Sequence, residues 1–379
     1  MLDLSRLLPA PLATLFMADL GAEVIKIEDT TSPDPIRFYP PMVAEQSVSV
    51  YYLALNRSKR SLTLPLRTQA GKKAFLDLVA TADVVVESYR AGVLQKMGID
   101  YETAKAVNER IIYVSVTGYG QNSIYSHLAG HDLNYTALAG VIGLNKTGHQ
   151  QPFIPGVQIA DIAGGSYQAL NACLLALFAR QRTGIGSHVD VAMVDGTLPL
   201  LSLPLSVAQI STPQEALQQA SFLTGSLPNY NLYRCADGKY VALGALEPKF
   251  WQNFCTAIEQ PAWTERLFID NEALQHDLSL LFASETRQHW LQLTNNADCC
   301  LTPVNELDDL LNDPYLQSNN LFVTHQYGNQ SVTGIRYPLK NSHFDAANSN
   351  PAPHFGQDNV AILQDLGYTQ QQIEALILG

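Results

Sequence analysis

Short runs of apolar and β-branched residues alternate with stretches of helical period through the first half of the chain, and that alternation predicts parallel strands joined by crossover helices. Leu2, Asp3 and Leu4 read as a strand, residues 11–20 as a helix stopped by Gly21, and residues 22–27 as the next strand. Further strands are expected at 84–87, 111–116 and 188–193, with helices at 70–80, 101–108 and 167–182. The fold class is therefore α/β, with a Rossmann-like large domain built on a parallel sheet. Helical period fades across 197–228, a segment rich in Leu, Ser, Pro and Gln that reads as a crossing linker. Residues 230–246 alternate as two strands about Ala236, Asp237 and Gly238, and 250–257 and 285–294 follow as helices, which predicts a smaller α+β domain. The tail from Pro351 is again helical in pattern. A chain of 379 residues exceeds what one core usually supports. The expected boundaries are 1–196 for the first part of the large, ligand-binding domain, 197–228 for the linker, 229–310 for the small domain, and 311–379 for a second linker and the return to the large domain.

Charge and cysteine usage narrow the function more than the fold. A formal net charge of −12 repels a polyphosphate backbone and an anionic bilayer, so neither nucleic acid nor membrane is expected as a partner. The longest apolar run, 172–179, is too short to span a bilayer, and no basic-then-apolar leader opens the sequence. Cys173, Cys235, Cys255, Cys299 and Cys300 are an odd set without metal-ligand spacing, which predicts a reducing, cytoplasmic setting and no metal site.

Against that acidic background a basic series stands out: Arg37, Arg57, Lys59, Arg60, Arg67, Arg90 and Lys96. Gathered in one place they would suit the phosphates of an adenosine diphosphate group, whereas the plainer reading is that they decorate helix ends. Gly118, Tyr119 and Gly120 resemble the start of a dinucleotide fingerprint, but Ser123 stands where the third glycine belongs, so they read as a turn and argue against a nicotinamide enzyme. Gly130-His131-Asp132-Leu133-Asn134-Tyr135 and Ala160-Asp161-Ile162-Ala163-Gly164-Gly165-Ser166 are the two segments with acid/base content. Taken singly, His131 reads as a structural histidine and Asp161 as a helix cap. As a pair beside bare glycine amides at 161–165, they fit chemistry at a carbon α to a carbonyl, with those amides stabilising the oxyanion. Glu247 ends an apolar strand just before Pro248 and by spacing reads as a cap.

Longer strings carry more than these local signals: Leu2 to Arg6, Ala18 to Glu28, Asn56 to Ser61, Gly130 to Tyr135, and Val189 to Gly196. Together they resemble the class III CoA-transferase family, and within it the racemases of 2-methyl-branched acyl-CoA thioesters. The likeness covers almost the whole chain. It implies an interlocked homodimer acting on an acyl-CoA substrate, with coenzyme A entering as part of the substrate and no other cofactor. The family's CoA contacts fall on Arg37, on Leu64, Pro65, Leu66 and Arg67, on Ser88, Tyr89 and Arg90, and on Lys96, with Gly130, Asp132, Leu133, Asn134 and Tyr135 forming the segment around the base. Ser88, Ala91 and Ala10 depart from the family pattern of Asn, Pro and Gly, and the start, inside the first strand, implies a truncated beginning. The resemblance places acid/base roles on His131, Asp161 and Glu247, with Glu247 orienting His131. The alternative is a CoA-transferase that uses Asp161 as nucleophile and needs no histidine base. A non-catalytic CoA-binding protein is the third reading, and it would not require all three groups.

Overall fold

Six parallel strands form the main sheet of the computed structural model, which describes residues 1–43, 47–146, 151–210, 220–339 and 349–378. In chain order the strands are β1 (Leu2–Leu4), β2 (Ile25–Asp29), a short antiparallel pair β3 (Met42–Val43) and β4 (Val48–Ser49), then β5 (Arg60–Leu64), β6 (Val84–Glu87), β7 (Ile112–Thr117) and β8 (Ser187–Ala192). The sheet order is β5-β2-β1-β6-β7-β8, parallel throughout. Counting only the strands of this sheet, that is the doubly wound nucleotide-binding order, and the order reverses between β1 and β6. Such a reversal opens a crevice beyond the carboxyl ends of those strands, where ligands of open α/β sheets bind.

Except along the edge strand β8, where His188 and Asp190 are exposed, the sheet is buried on both faces, as parallel sheets generally are. Leu62, Phe75, Val79, Val85 and Tyr113 pack on one face, and Val84, Val86, Ile112 and Val114 on the other with Cys173 of the helix Tyr167–Thr183. Lys26, Glu28 and Asp29 of β2 are also buried, and ion pairs explain most of that. Lys26 Nζ meets Asp34 at 2.9 Å, Lys59 Nζ meets Asp3 at 2.9 Å, Arg37 is clamped by Glu28 at 2.6 Å and by the Tyr52 hydroxyl, and Arg57 pairs with Asp19. This corrects the expectation of one basic island. Arg37, Arg57 and Lys59 are core residues with internal partners, and Arg60 pairs with Glu23 at the surface.

Strand β5 was not legible in the sequence. It lies at the sheet edge, and its outer amides are met by the chain's return: Asp358 and Asn359, leading the helix Asn359–Asp365, accept hydrogen bonds from the Ser61 and Thr63 N–H groups at 2.7 and 2.8 Å. An edge strand covered in this way offers no open ladder for pairing with another chain.

The chain divides into two compact units, Met1–Leu200 with Asn319–Gly379, and Leu201–Ser318. The second unit carries an antiparallel sheet of β9 (Tyr230–Arg234), β10 (Tyr240–Gly244) and β11 (Leu301–Pro303), with β10 central. Its helices Pro248–Ala257, Asn271–Ala283 and Arg287–Thr294 bury Trp251, Phe254, Phe282 and Trp290. The Trp290 indole donates to the Phe282 carbonyl at 3.0 Å, so its one polar atom is satisfied inside an apolar core. In the first unit, β12 (Phe322–Tyr327) and β13 (Gln330–Ile335) form a hairpin about Gly328 and Asn329 where only a linker was expected.

Residues 197–228 are also corrected in part. They contain the helix Ser202–Ile210 and the short turns Leu198–Leu201 and Ala220–Leu223, and 211–219 lie outside the described residues. Pro204 lies near the start of the α-helical stretch Ser202–Ile210, just after the 3-10 turn Leu198–Leu201. Two continuous helical runs, Ala160–Thr183 and Met193–Ile210, are long and apolar enough by length and composition to cross a bilayer, which the uninterrupted run 172–179 understated. The remainder of the proposed return, 340–348 and 379, lies outside the described residues.

Candidate functional site

Beyond the carboxyl ends of β1, β6 and β7, the first unit holds a cleft of about 330 Å³. Arg6 and Leu7 enter it from β1, Ser88, Tyr89, Arg90 and Ala91 from β6, and Gly118 and Tyr119 from β7. His131 and Asp161 line the same cleft, together with Gly130 and Tyr135.

Local sequence explains how the two acid/base candidates are presented. His131 is the N-cap of the helix Asp132–Leu138, and the Asn134 side chain accepts a hydrogen bond from its amide at 3.1 Å, which fixes the backbone that carries the imidazole. The Tyr135 hydroxyl donates to the Gly130 carbonyl at 2.6 Å, and its ring lies so close to Gly118 and Gly130 that a β-carbon at either would strike it. These glycines are therefore there for close approach.

Asp161 sits in the first turn of a π-helical segment, Ala160–Ser166, that runs into the helix Tyr167–Thr183. Asp132 binds the Asp161 amide at 2.9 Å through its carboxylate. Burial pushes the Asp161 carboxyl up to about 7, and the negative charge of Asp132 adds to the rise. That arrangement corrects the oxyanion reading of 161–165. The Asp161 amide is taken by Asp132 and the Ile162 amide by the Gln158 carbonyl, while Gly164 and Gly165 abut Met193 and Thr197, where side chains would collide. The glycines are packing residues.

The charge of Asp132 should be separable from its hydrogen bond. Asp132→Asn keeps an oxygen for the Asp161 amide and removes the negative charge, so the Asp161 carboxyl should titrate lower than in the parent while burial keeps it above an ordinary aspartate. A carbon-13 NMR titration of the carboxyls checks this, and an unmoved Asp161 would show that Asp132 contributes no charge effect.

The remaining expected site residues are distributed. Ser88, Tyr89 and Arg90 line the cleft, whereas Lys96 is exposed on the short helix Val93–Met97. Leu64, Pro65 and Leu66 are buried and Arg67 is exposed just beyond β5. Arg37 borders a separate cavity with Phe38, His354 and Phe355. Asp132, Leu133 and Asn134 form the first turn behind His131. Glu247 belongs to the second unit, where it is exposed at the N-cap of Pro248–Ala257 and makes no side-chain cap. Arg6, Leu7, Tyr119 and Met193 also line the cleft and were not singled out from sequence, although the turn containing Tyr119 was. Among the described residues, no group of three or more His, Cys, Asp or Glu side chains is placed to hold a metal ion.

The whole length of the chain has relatives. The family model described as CoA-transferase family III matches residues 1–359. Human alpha-methylacyl-CoA racemase is 30% identical over 377 residues, covering 99% of this chain and 94% of that protein. Mouse succinyl-CoA:glutarate CoA-transferase is 32% identical over 391 aligned residues, covering 99% of this chain and 87% of the relative. A crystal structure of a CaiB/BaiF family protein from Brucella suis superposes with a TM-score of 0.80 at 28% identity, over 96% of this chain and 97% of the other. Sequence and architecture thus agree over the same span, and the chain belongs to CoA-transferase family III.

Proposed function

We propose that this protein is a racemase or epimerase of 2-methyl-branched acyl-CoA thioesters, working by two-base 1,1-proton transfer through an enolate. The observation that supports this reading above its rival is one cleft that holds both His131 and Asp161, with the Asp161 carboxyl raised to about 7. A group at that value is present in both protonation states near neutral pH, as an acid/base catalyst that works in both directions needs. A carboxyl meant to attack a thioester gains nothing from being held protonated.

The steps balance without an external reagent. One of the two groups takes the 2-proton as the C–H electrons move into the thioester, giving an enolate. The other then gives a proton to the opposite face. Collapse of the enolate restores the carbonyl with inverted configuration, and each group ends in the protonation state its partner began in. Arg6 and Arg90 on the cleft supply positive charge for the phosphates of coenzyme A, which arrives as part of the substrate.

The second reading is CoA transfer through an Asp161 thioester, favoured by the likeness to a succinyl-CoA:glutarate CoA-transferase. A panel of acyl-CoA esters, each incubated with and without a second carboxylic acid, tests the choice. Inversion of a pure 2-methyl enantiomer without an acceptor supports the racemase, and a new thioester formed only with the acceptor supports the transferase.

We further propose that the protein is a homodimer of interlocked chains. Leu174, Leu175 and Phe178 on one helix of the first unit are exposed, as are Leu203 and Leu205 in the second, and each set is apolar surface of the kind a subunit contact covers. Light scattering over a dilution series should show a constant dimer mass, because linked chains separate only by unfolding. A compact, active monomer on dilution would exclude interlocking.

A further inference from the structure

On the face of the sheet that carries Tyr113, three neighbouring strands place polar groups side by side. Glu87 ends β6, Ser115 is its register partner on β7, and Asp190 is the partner of Ser115 on β8. Glu87 is 3% exposed, and its carboxyl accepts the Tyr89 amide at 2.7 Å and the Gln121 side-chain amide at 3.4 Å. Ser115, its neighbour across the register, favours the charged form of that carboxyl, and the Ser115 Oγ lies 2.9 Å from His188 Nε2. His188 is exposed on β8, and its ring stacks on Tyr101 at 5.1 Å and meets the edge of Tyr113 at 5.8 Å, two contacts that orient the imidazole. None of these groups lines the cleft of His131 and Asp161.

What they touch does line it. The amide bound by Glu87 belongs to Tyr89, in the turn that brings Ser88, Tyr89, Arg90 and Ala91 to the cleft wall. From the other side, the Arg6 amide donates to Ser88 Oγ at 2.8 Å, and the Arg6 guanidinium lies over the Tyr89 ring at 4.6 Å. The turn is thus gripped by the β1 loop above and by one buried carboxyl below. We propose that Glu87 is a positioning residue, whose carboxylate, braced by Ser115 and His188, holds the Ser88–Tyr89–Arg90 turn in the shape that binds coenzyme A.

The grip depends on charge. A carboxylate makes a charge-assisted hydrogen bond to an amide, roughly twice as strong as the neutral acid makes. Burial pushes Glu87 up to about 7, Ser115 and the Tyr89 amide pull against that rise, and Asp190 adds to it. The folded value lies above that of an exposed glutamate, so the charged grip is complete only above neutral pH and weakens as pH falls through 7. The titratable and charged groups around this carboxyl are His188 and Asp190 of β8, Tyr113 of β7, Tyr89 and Arg90 of the turn, and Asp100, Tyr101 and Glu102 at the start of the helix Tyr101–Val107. Partial desolvation pulls His188 below the usual histidine value, which favours its neutral form beside Glu87.

This inference rests on the acyl-CoA reading of the cleft, and its test separates the two. Binding of coenzyme A is measured by calorimetry from pH 5.5 to 8.5 for the parent, Glu87→Gln and Glu87→Asp, with hydrogen exchange of the 88–91 amides followed without ligand. Titration of the ligand's own phosphates is common to all three proteins and cancels in the comparison. Glu87→Gln, which keeps the shape and removes the charge, should bind about five- to tenfold more weakly at pH 8, match the parent near pH 6, and show faster exchange at the turn. Glu87→Asp, charged but one methylene short, should keep part of the pH dependence. A parent that binds coenzyme A and a Glu87→Gln protein with the same affinity and exchange at every pH would overturn the proposal. A parent that does not bind coenzyme A, with exchange at 88–91 still accelerated in Glu87→Gln, would leave the grip standing and overturn the acyl-CoA reading together with the stated purpose of the turn.

Discussion

His131→Ala should cripple racemisation from both enantiomers while leaving solvent exchange of the 2-proton for one of them. In a two-base mechanism each enantiomer presents its proton to a different group, and inversion needs both. With His131 gone, Asp161 can still remove and return the proton that faces it. Asp161→Ala should show the opposite enantiomer preference. Loss of either positioned acid/base group should lower inversion by about 10²–10⁴-fold. Exposed His131 and half-buried Asp161 are each tolerant of truncation in packing terms, so circular dichroism should show both variants folded. Chiral chromatography of the thioester with mass-spectrometric deuterium counting reads both outcomes. Equal loss of exchange from both enantiomers in both variants would contradict separate faces.

Lys26→Met should be among the most destabilising single changes in the first unit. Lys26 Nζ and its partner Asp34 are 2.9 Å apart with no exposed side-chain surface, and the same ammonium binds the Ser5 carbonyl at 2.8 Å. Burial alone would pull this lysine down, but Asp34, Asp3 and Glu28 outweigh it, so its pKa stands above the usual lysine value. Removing one member leaves an unpaired buried carboxylate, which costs about 3–5 kcal/mol. Asp34 also accepts the amides of Leu7 and Ile36, so the damage should reach the β1 loop at the cleft. Urea denaturation measures the loss. Replacing both partners, Lys26→Met with Asp34→Leu, should recover part of it, because no unmatched charge then remains. A single variant within 1 kcal/mol of the parent, the scale of an exposed ion pair, would show that the pair is not buried in solution.

The regular part of the fold was open to reading because buried parallel strands are dense in Val, Ile and Leu. Val84–Glu87 was placed to the residue, and the helix Tyr167–Thr183 to within one. Arg60–Leu64 was hidden because its polar positions look like surface, and only the distant tail, through Asp358 and Asn359, makes it a protected edge. The basic series misled for a related reason. A sequence shows that Arg37, Arg57 and Lys59 carry charge, but not that Glu28, Asp19 and Asp3 wait for them across the core. The motifs of His131 and Asp161 stood out as a pair and both residues line one cleft, whereas Glu87 reads in sequence only as the polar end of an apolar strand. Its environment comes from register with Ser115 and from packing around His188, which no local pattern encodes.

The most direct test of the proposed chemistry follows the parent enzyme in deuterated water with a single pure enantiomer of a 2-methylacyl-CoA and no acceptor acid. Proton NMR at the 2-position is recorded alongside chiral analysis, and a parallel sample is quenched with hydroxylamine. The account predicts one deuterium at carbon 2 of the inverted product, approach to an equal mixture of enantiomers, and no Asp161 adduct trapped. Productive turnover through a covalent Asp161 thioester, with the 2-proton never exchanged, would contradict it.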